Sequence, residues 1–140
     1  MQEDRFETIH VGDEAEILHI ITTKDVDTFV ELTGDNNPLH VDDDFASKTT
    51  FKKRIVHGML TVSFISTIIG TKIPGPGSLW YEQQIRFLAP VRIGSRIRVW
   101  AKVLHKSISQ RIIVLETVIF DEQERRVIEG EAKVKVLDQW

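Results

Sequence analysis

From Ile55 to Thr71 the chain runs for 17 residues without a Lys, Arg, Asp or Glu, between Arg54 and Lys72. At about 100° per residue, Leu60, Phe64, Ile65, Ile68 and Ile69 share one broad apolar arc, and Met59, Ser63, Ser66 and Gly70 form a narrower stripe opposite. The pattern predicts a buried helix whose arc packs on a sheet and whose small stripe admits close approach. A membrane span needs about 20 mostly apolar residues, so this Ser- and Thr-containing run is not read as one.

The flanks differ in period. Glu14 to Ile21 predicts a strand with Ala15, Ile17, His19 and Ile21 on one face. Thr22 and Asp25 have capping-box spacing, Val26, Phe29, Val30 and Thr33 recur helically, and Gly34 supplies a stop. Asp35 to His40 is turn chemistry around Pro38, and Asp42 is placed to cap a further helical turn that buries Phe45 and Ala46. After the Pro74-Gly75-Pro76-Gly77 break everything reads as strand. Leu79, Tyr81, Gln83, Ile85 and Phe87 alternate with Trp80, Glu82, Gln84 and Arg86, and Ile97, Val99, Ala101 and Val103 with Arg96, Arg98, Trp100 and Lys102. Arg111 to Phe120 is apolar on both sides and predicts an interior strand, whereas Val127 to Leu137 alternates with Ile128, Gly130, Ala132, Val134 and Val136 inward. One strand, small helices, a long central helix and four consecutive antiparallel strands make an α+β protein, a five-stranded antiparallel sheet wrapped around one helix as in the hot-dog fold.

Composition narrows the function classes. The 140 residues suit a single domain spanning 1–140. A net charge of −3 with no long like-charge block implies neither nucleic acid nor an anionic membrane as partner. Without cysteine, disulfide, zinc-thiolate and thiol-nucleophile chemistry all drop out. The amino terminus, MQEDRFETIH, lacks the layout of a secretion signal, so the expected location is the cytoplasm, or an organelle after processing.

Candidate chemistry lies just before the central helix. Asp35 and His40 are five residues apart across the Pro38 turn, upstream of His57 and Gly58. A carboxylate and an imidazole held near one point can share a water for acid and base catalysis. The same residues also admit a plainer reading, Asp35 as a turn cap and His40 bonded to a loop carbonyl. Gly58 opens the helix, where a free N–H, a positive dipole end and the lack of a Cβ suit a developing negative oxygen. Lys48 to Arg54 holds four basic residues in seven, either a solvated loop or a contact for coenzyme A phosphates.

The run Phe29-x-x-Leu32-Thr33-Gly34-Asp35-x-Asn37-Pro38-Leu39-His40-x5-Ala46, followed by Ile55-Val56-His57-Gly58-Met59, resembles the MaoC-like (R)-specific enoyl-CoA hydratases and 3-hydroxyacyl-thioester dehydratases. The likeness extends through the Pro-Gly break and Arg86-Phe87-Leu88-Ala89-Pro90-Val91. It implies reversible hydration of a trans-2-enoyl thioester, on coenzyme A or an acyl carrier, to the (R)-3-hydroxyacyl thioester, with no metal or redox cofactor. It further implies Asp35 and His40 as the pair holding the water, the Gly58 N–H on the thioester oxygen, and Ser66 lining the acyl pocket. As a plain reading, Ser66 equally suits a bond to the carbonyl four residues back. Asn37 and Thr33 are expected to support the loop, Asn37 also as a substrate-binding residue, Met59 and the rest of the small stripe to border the acyl channel, and His57 to pack at the helix start. A homodimer or higher homo-oligomer is expected, because one sheet of this length leaves an edge and a half-lined channel. Thioesterases and acyl-carrier dehydratases that place their acid on the central helix fit poorly, since Ile55 to Thr71 holds no carboxylate. A non-catalytic acyl-thioester-binding dimer is the rival of a different class.

Overall fold

The computed structural model describes residues 3–138. In chain order the elements are α1 (Arg5–Thr8), β1 (Glu14–Ile20), α2 (Thr23–Thr33), α3 (Pro38–Val41), α4 (Asp43–Ser47), α5 (Gly58–Thr71), β2 (Ser78–Phe87), β3 (Arg96–Ser107), β4 (Ile112–Phe120) and β5 (Arg126–Val136). The strands form one sheet in the order β1-β3-β4-β5-β2, with every neighbouring pair antiparallel. That is the five-stranded hot-dog sheet expected from the sequence, with its helix 14 residues long rather than the whole 17-residue run.

The apolar arc of α5 does face the sheet. Ile65 and Ile68 are fully buried, Leu60 and Ile69 nearly so, and they meet Ile97, Val99, Ile113, Leu115, Ile119, Ile128 and Val134 in one core. Truncating a side chain such as Ile65 to alanine there costs about 2–5 kcal/mol. The stripe opposite stays open: Ser63, Ser66 and Gly70 are exposed and Met59 is 57% exposed. β4 occupies the middle of the sheet, which explains its two apolar faces.

Local signals hold in detail. Thr22 and Asp25 make a complete capping box on α2, and Gly34 ends it in the left-handed conformation at φ 78°. Asp42 caps α4 through the Phe45 N–H; Ala46 is buried as expected, but Phe45, expected to be buried with it, is 46% exposed. α1 has no counterpart in the sequence reading; Asp4 caps it and Phe6 anchors it in the core.

β2 departs from the expected phase. Trp80 pairs with Val134 and Glu82 with Lys133, so Tyr81 is an extra residue in a β-bulge and the alternation slips by one. Trp80, Gln83 and Ile85 turn inward, while Leu79 and Tyr81 point out at 52% and 48% exposure. The bulge is tied down by side chains. Trp80 Nε1–H donates to Gln83 Oε1 (3.1 Å), Gln83 Nε2–H to Thr117 Oγ1 (3.0 Å), and Thr117 Oγ1–H to the Gly130 carbonyl (3.1 Å). Gly130 must be glycine, since a Cβ there would collide with the Gln84 carbonyl of the adjoining strand.

Candidate active site

Two short capped helices deliver the acid-base pair. The Thr33 hydroxyl donates to the Phe29 carbonyl (2.7 Å) and accepts from the Asp35 N–H (3.2 Å), so the end of α2 fixes where the chain leaves it. Asp35 Oδ1 accepts from the Asn37 N–H (3.3 Å), and Asn37 Oδ1 accepts from the Leu39 N–H (3.1 Å), capping α3 with Pro38 in its first turn. His40 therefore sits on a helical turn rather than in an irregular loop. Asn37 supports that turn and does not line the cleft described below.

The His40 ring is held by its own bond. Nδ1 lies 2.7 Å from the Ile55 carbonyl, which can only accept, so Nδ1 carries the hydrogen and the Nε2 lone pair is free. Arg54 braces the same helix, donating to the His40 carbonyl at 3.4 Å while pairing with Asp43 at 2.9 Å. Behind His40 lies His57, 2% exposed, with ring centroids 3.9 Å apart and planes at 29°. His57 Nε2–H donates to the Asp35 main-chain carbonyl at 2.9 Å. One carboxylate oxygen of Asp35 and one ring nitrogen each of His40 and His57 all lie within 4.8 Å of one another. A water with hydrogen bonds of about 2.8 Å can bridge groups that far apart. The same three are, among the described residues, the group spaced so that a metal ion could be held.

These groups share one cleft of about 910 Å³, within the usual range for small-molecule sites. Its polar members are Thr33, Asp35, His40, His57 and Thr61; apolar walls come from Phe29, Phe51, Ile55, Val56, Met59 and the Phe87 to Val91 segment after β2. Gly58 lies on its wall as the first residue of α5, where its N–H has no intrahelical acceptor. Glycine also lets the Phe87 ring pack close, since a Cβ here would fall 2.5 Å from Phe87 Cε1 and displace that ring. Met59 lines the cleft; Ser66, on the same exposed stripe but about two turns farther along α5, does not. Phe51 and Phe87 line it without having been singled out. Strand alternation places Phe87 on a sheet face and gives no sign of its approach to Gly58 or of its place in the cleft wall.

The family described as "MaoC like domain" matches residues 8–124. Among curated proteins, the chain is 40% identical over 131 residues to an (R)-specific enoyl-CoA hydratase of Rhodospirillum rubrum, covering 94% of this chain and 90% of that protein. It is also 40% identical over 133 residues to a 3-hydroxybutyryl-CoA dehydratase of Methylorubrum extorquens, covering 94% and 83%. Among solved structures, an (R)-hydratase from A. caviae involved in PHA biosynthesis superposes with a TM-score of 0.91 at 34% identity, covering 94% of this chain and 99% of that one.

Proposed function

The chain belongs to the MaoC-like domain family, and we propose that it is a hydro-lyase that reversibly adds water to a trans-2-enoyl-CoA to give the (R)-3-hydroxyacyl-CoA. The observation that carries this reading is that Asp35, His40 and Gly58 line one apolar-walled cleft, with a carboxylate oxygen of Asp35 and a ring nitrogen of His40 within 4.8 Å of each other. Relatives named as an enoyl-CoA hydratase and a hydroxybutyryl-CoA dehydratase at 40% identity support it from outside the structure.

In the hydration direction, a water held between Asp35 and His40 attacks C3. The Asp35 carboxylate accepts one O–H and orients the oxygen, while His40 Nε2 takes the other proton as the C3–O bond forms. The imidazolium then returns that proton to C2 from the same side, so one water is added with no net proton gained or lost. Charge that builds on the thioester oxygen is received by the Gly58 N–H at the positive end of α5. Because His40 Nδ1–H is committed to the Ile55 carbonyl, both proton movements pass through Nε2. Exchanging Asp35 for Asn, or His40 for Ala, tests these assignments through the ultraviolet absorbance of the conjugated enoyl thioester.

The working unit we infer is a homodimer. β2 is an edge strand with Leu79, Tyr81 and Phe87 exposed, and α5, which packs beside it, turns its bare stripe of Ser63, Ser66 and Gly70 outward. An uncovered apolar edge is a pairing surface. A second copy there would close the cleft at Met59 and Phe87 and give Ser66 a place on the channel. No helix of the described residues is long and apolar enough to cross a membrane. A cysteine-free chain acting on coenzyme A thioesters is consistent with the cytoplasm.

A further inference from the structure

The buried histidine that opens the central helix does more than fill space. As N-cap of α5, His57 occupies a position usually given to Ser, Thr, Asp or Asn, yet it makes no side-chain cap bond. Its imidazole turns inward instead, between the rings of His40 and Phe29, with centroids at 3.9 and 4.8 Å. Of its two nitrogens, Nε2–H donates to the Asp35 carbonyl across 22 residues of chain, and Nδ1 is buried with no hydrogen-bond partner among the described residues. An unpaired buried acceptor costs stability that a phenylalanine in the same space would not, so packing alone does not account for an imidazole here.

We propose that His57 is a positioning residue, whose Nε2–H fixes the Asp35 main chain and so sets the carboxylate against the free nitrogen of His40. The geometry is suited to this. Asp35 is exposed and lies just beyond the left-handed Gly34, in a segment with few other restraints: its N–H rests on Thr33, its carboxylate meets the Asn37 N–H, and its carbonyl is held by His57. Of these three, the bond from His57 is the one that ties the segment to the core. The His40 ring lies flat on the same imidazole, so a single buried ring references both members of the pair to the start of α5, where Gly58 waits for the thioester oxygen. His57 offers no nitrogen to the substrate: its Nε2–H is spent on the Asp35 carbonyl and its Nδ1 is buried. The inference rests on the hydratase reading above.

Three substitutions separate the hydrogen bond from the packing. His57→Phe keeps a ring and loses the donor; His57→Gln carries its amide nitrogen to the place of Nε2; His57→Asn carries it to the place of Nδ1. Outer partners that orient metal-bound histidines and carboxylates typically account for about 10- to 100-fold of activity when removed, and a loss of that size is expected here. The expected result is a kcat lower by that factor in His57→Phe and His57→Asn with KM little changed, and near-parent kcat in His57→Gln. The Asp35 carbonyl 13C shift is read beside it and does not depend on turnover; it should move in the Phe and Asn variants and stay in the Gln variant. If His57→Phe fails to fold, the contrast between Gln and Asn decides. Equal kcat in all variants, equal loss in all, or an Asp35 signal that ignores the donor overturns the proposal while an active parent leaves the hydratase reading standing. A parent with no turnover on an enoyl-CoA overturns both.

Discussion

Replacing Gly58 with alanine tests stability and chemistry at one atom. The added methyl would sit 2.5 Å from Phe87 Cε1 and 2.9 Å from Cδ1, against an ordinary carbon contact of about 3.5–4.0 Å, so something must move by about 1 Å. Phe87 can give way, because its ring is 55% exposed on an edge strand. Overpacking in a closed core costs about 1–3 kcal/mol, and Gly→Ala in a helix returns up to about 1 kcal/mol. The net loss should be about 0–2 kcal/mol, a fall in Tm of a few degrees for a chain of this length. The catalytic effect is expected to be much larger. The methyl crowds the approach to the Gly58 N–H, and losing one oxyanion donor costs about 10²- to 10³-fold in kcat. Thermal melting by circular dichroism and turnover of an enoyl-CoA on the same preparation separate the two effects. The double variant Gly58→Ala/Phe87→Ala removes the ring clash and should recover melting relative to the sum of the singles, without recovering kcat. A folded Gly58→Ala with kcat within a few-fold of the parent would refute the oxyanion role, and recovery of kcat in the double variant would assign the loss to the displaced ring.

Two further outcomes follow from the flanks of the site. Burial pushes the Asp25 carboxyl up, but the Thr22 N–H and the His19 ring at 2.8 Å outweigh it and hold the group below its ordinary value. A carboxyl depressed in the folded state stabilises above its unfolded value, near 3.8, and loses that contribution as pH falls through the folded one. Tm should therefore drop on acidification below about pH 4, less steeply in Asp25→Asn, and Thr22→Ala should cost about 1 kcal/mol at pH 7; identical acid limbs in parent and Asp25→Asn would contradict this. For the edge strand, Leu79→Lys with Tyr81→Glu should convert a dimer into a monomer in light scattering, and an unchanged mass would put the interface elsewhere.

Most of the fold was legible because local chemistry and burial agree. The Thr22/Asp25 capping box, the left-handed Gly34 and the uncharged run before Lys72 each specify one conformation within a few residues. The slip at Tyr81 was not, because a bulge is decided by pairing with Val134 and Lys133, some 50 residues on, and no glycine announces it. A plain alternation therefore put Leu79 and Tyr81 on the wrong face. In the site, spacing left a capping reading open, and the resemblance carried by Gly34-Asp35-x-Asn37-Pro38-Leu39-His40 and His57-Gly58 is what brought Asp35, His40 and Gly58 forward. Spacing could not reveal that His57 turns its ring back onto His40, nor that Phe87 leans on Gly58, since both depend on contacts across 17 to 29 residues of chain. Ser66 shows the converse: helical periodicity correctly placed it opposite the apolar arc, but what meets that side of α5 is not specified by one chain.

The central claim, that Asp35 and His40 act as one unit on one water, is tested most directly by the turnover of a trans-2-enoyl-CoA in the parent, Asp35→Asn, His40→Ala and the double variant. Acid-base groups contribute about 10²- to 10⁴-fold, and groups that work together do not add. The account predicts that each single variant loses kcat toward the upper end of that range, that the double variant is within a few-fold of either, and that melting and binding of the hydroxyacyl product are unchanged. A parent that does not consume the enoyl thioester, an Asp35→Asn variant that keeps its activity, or one that loses activity only by unfolding would contradict it.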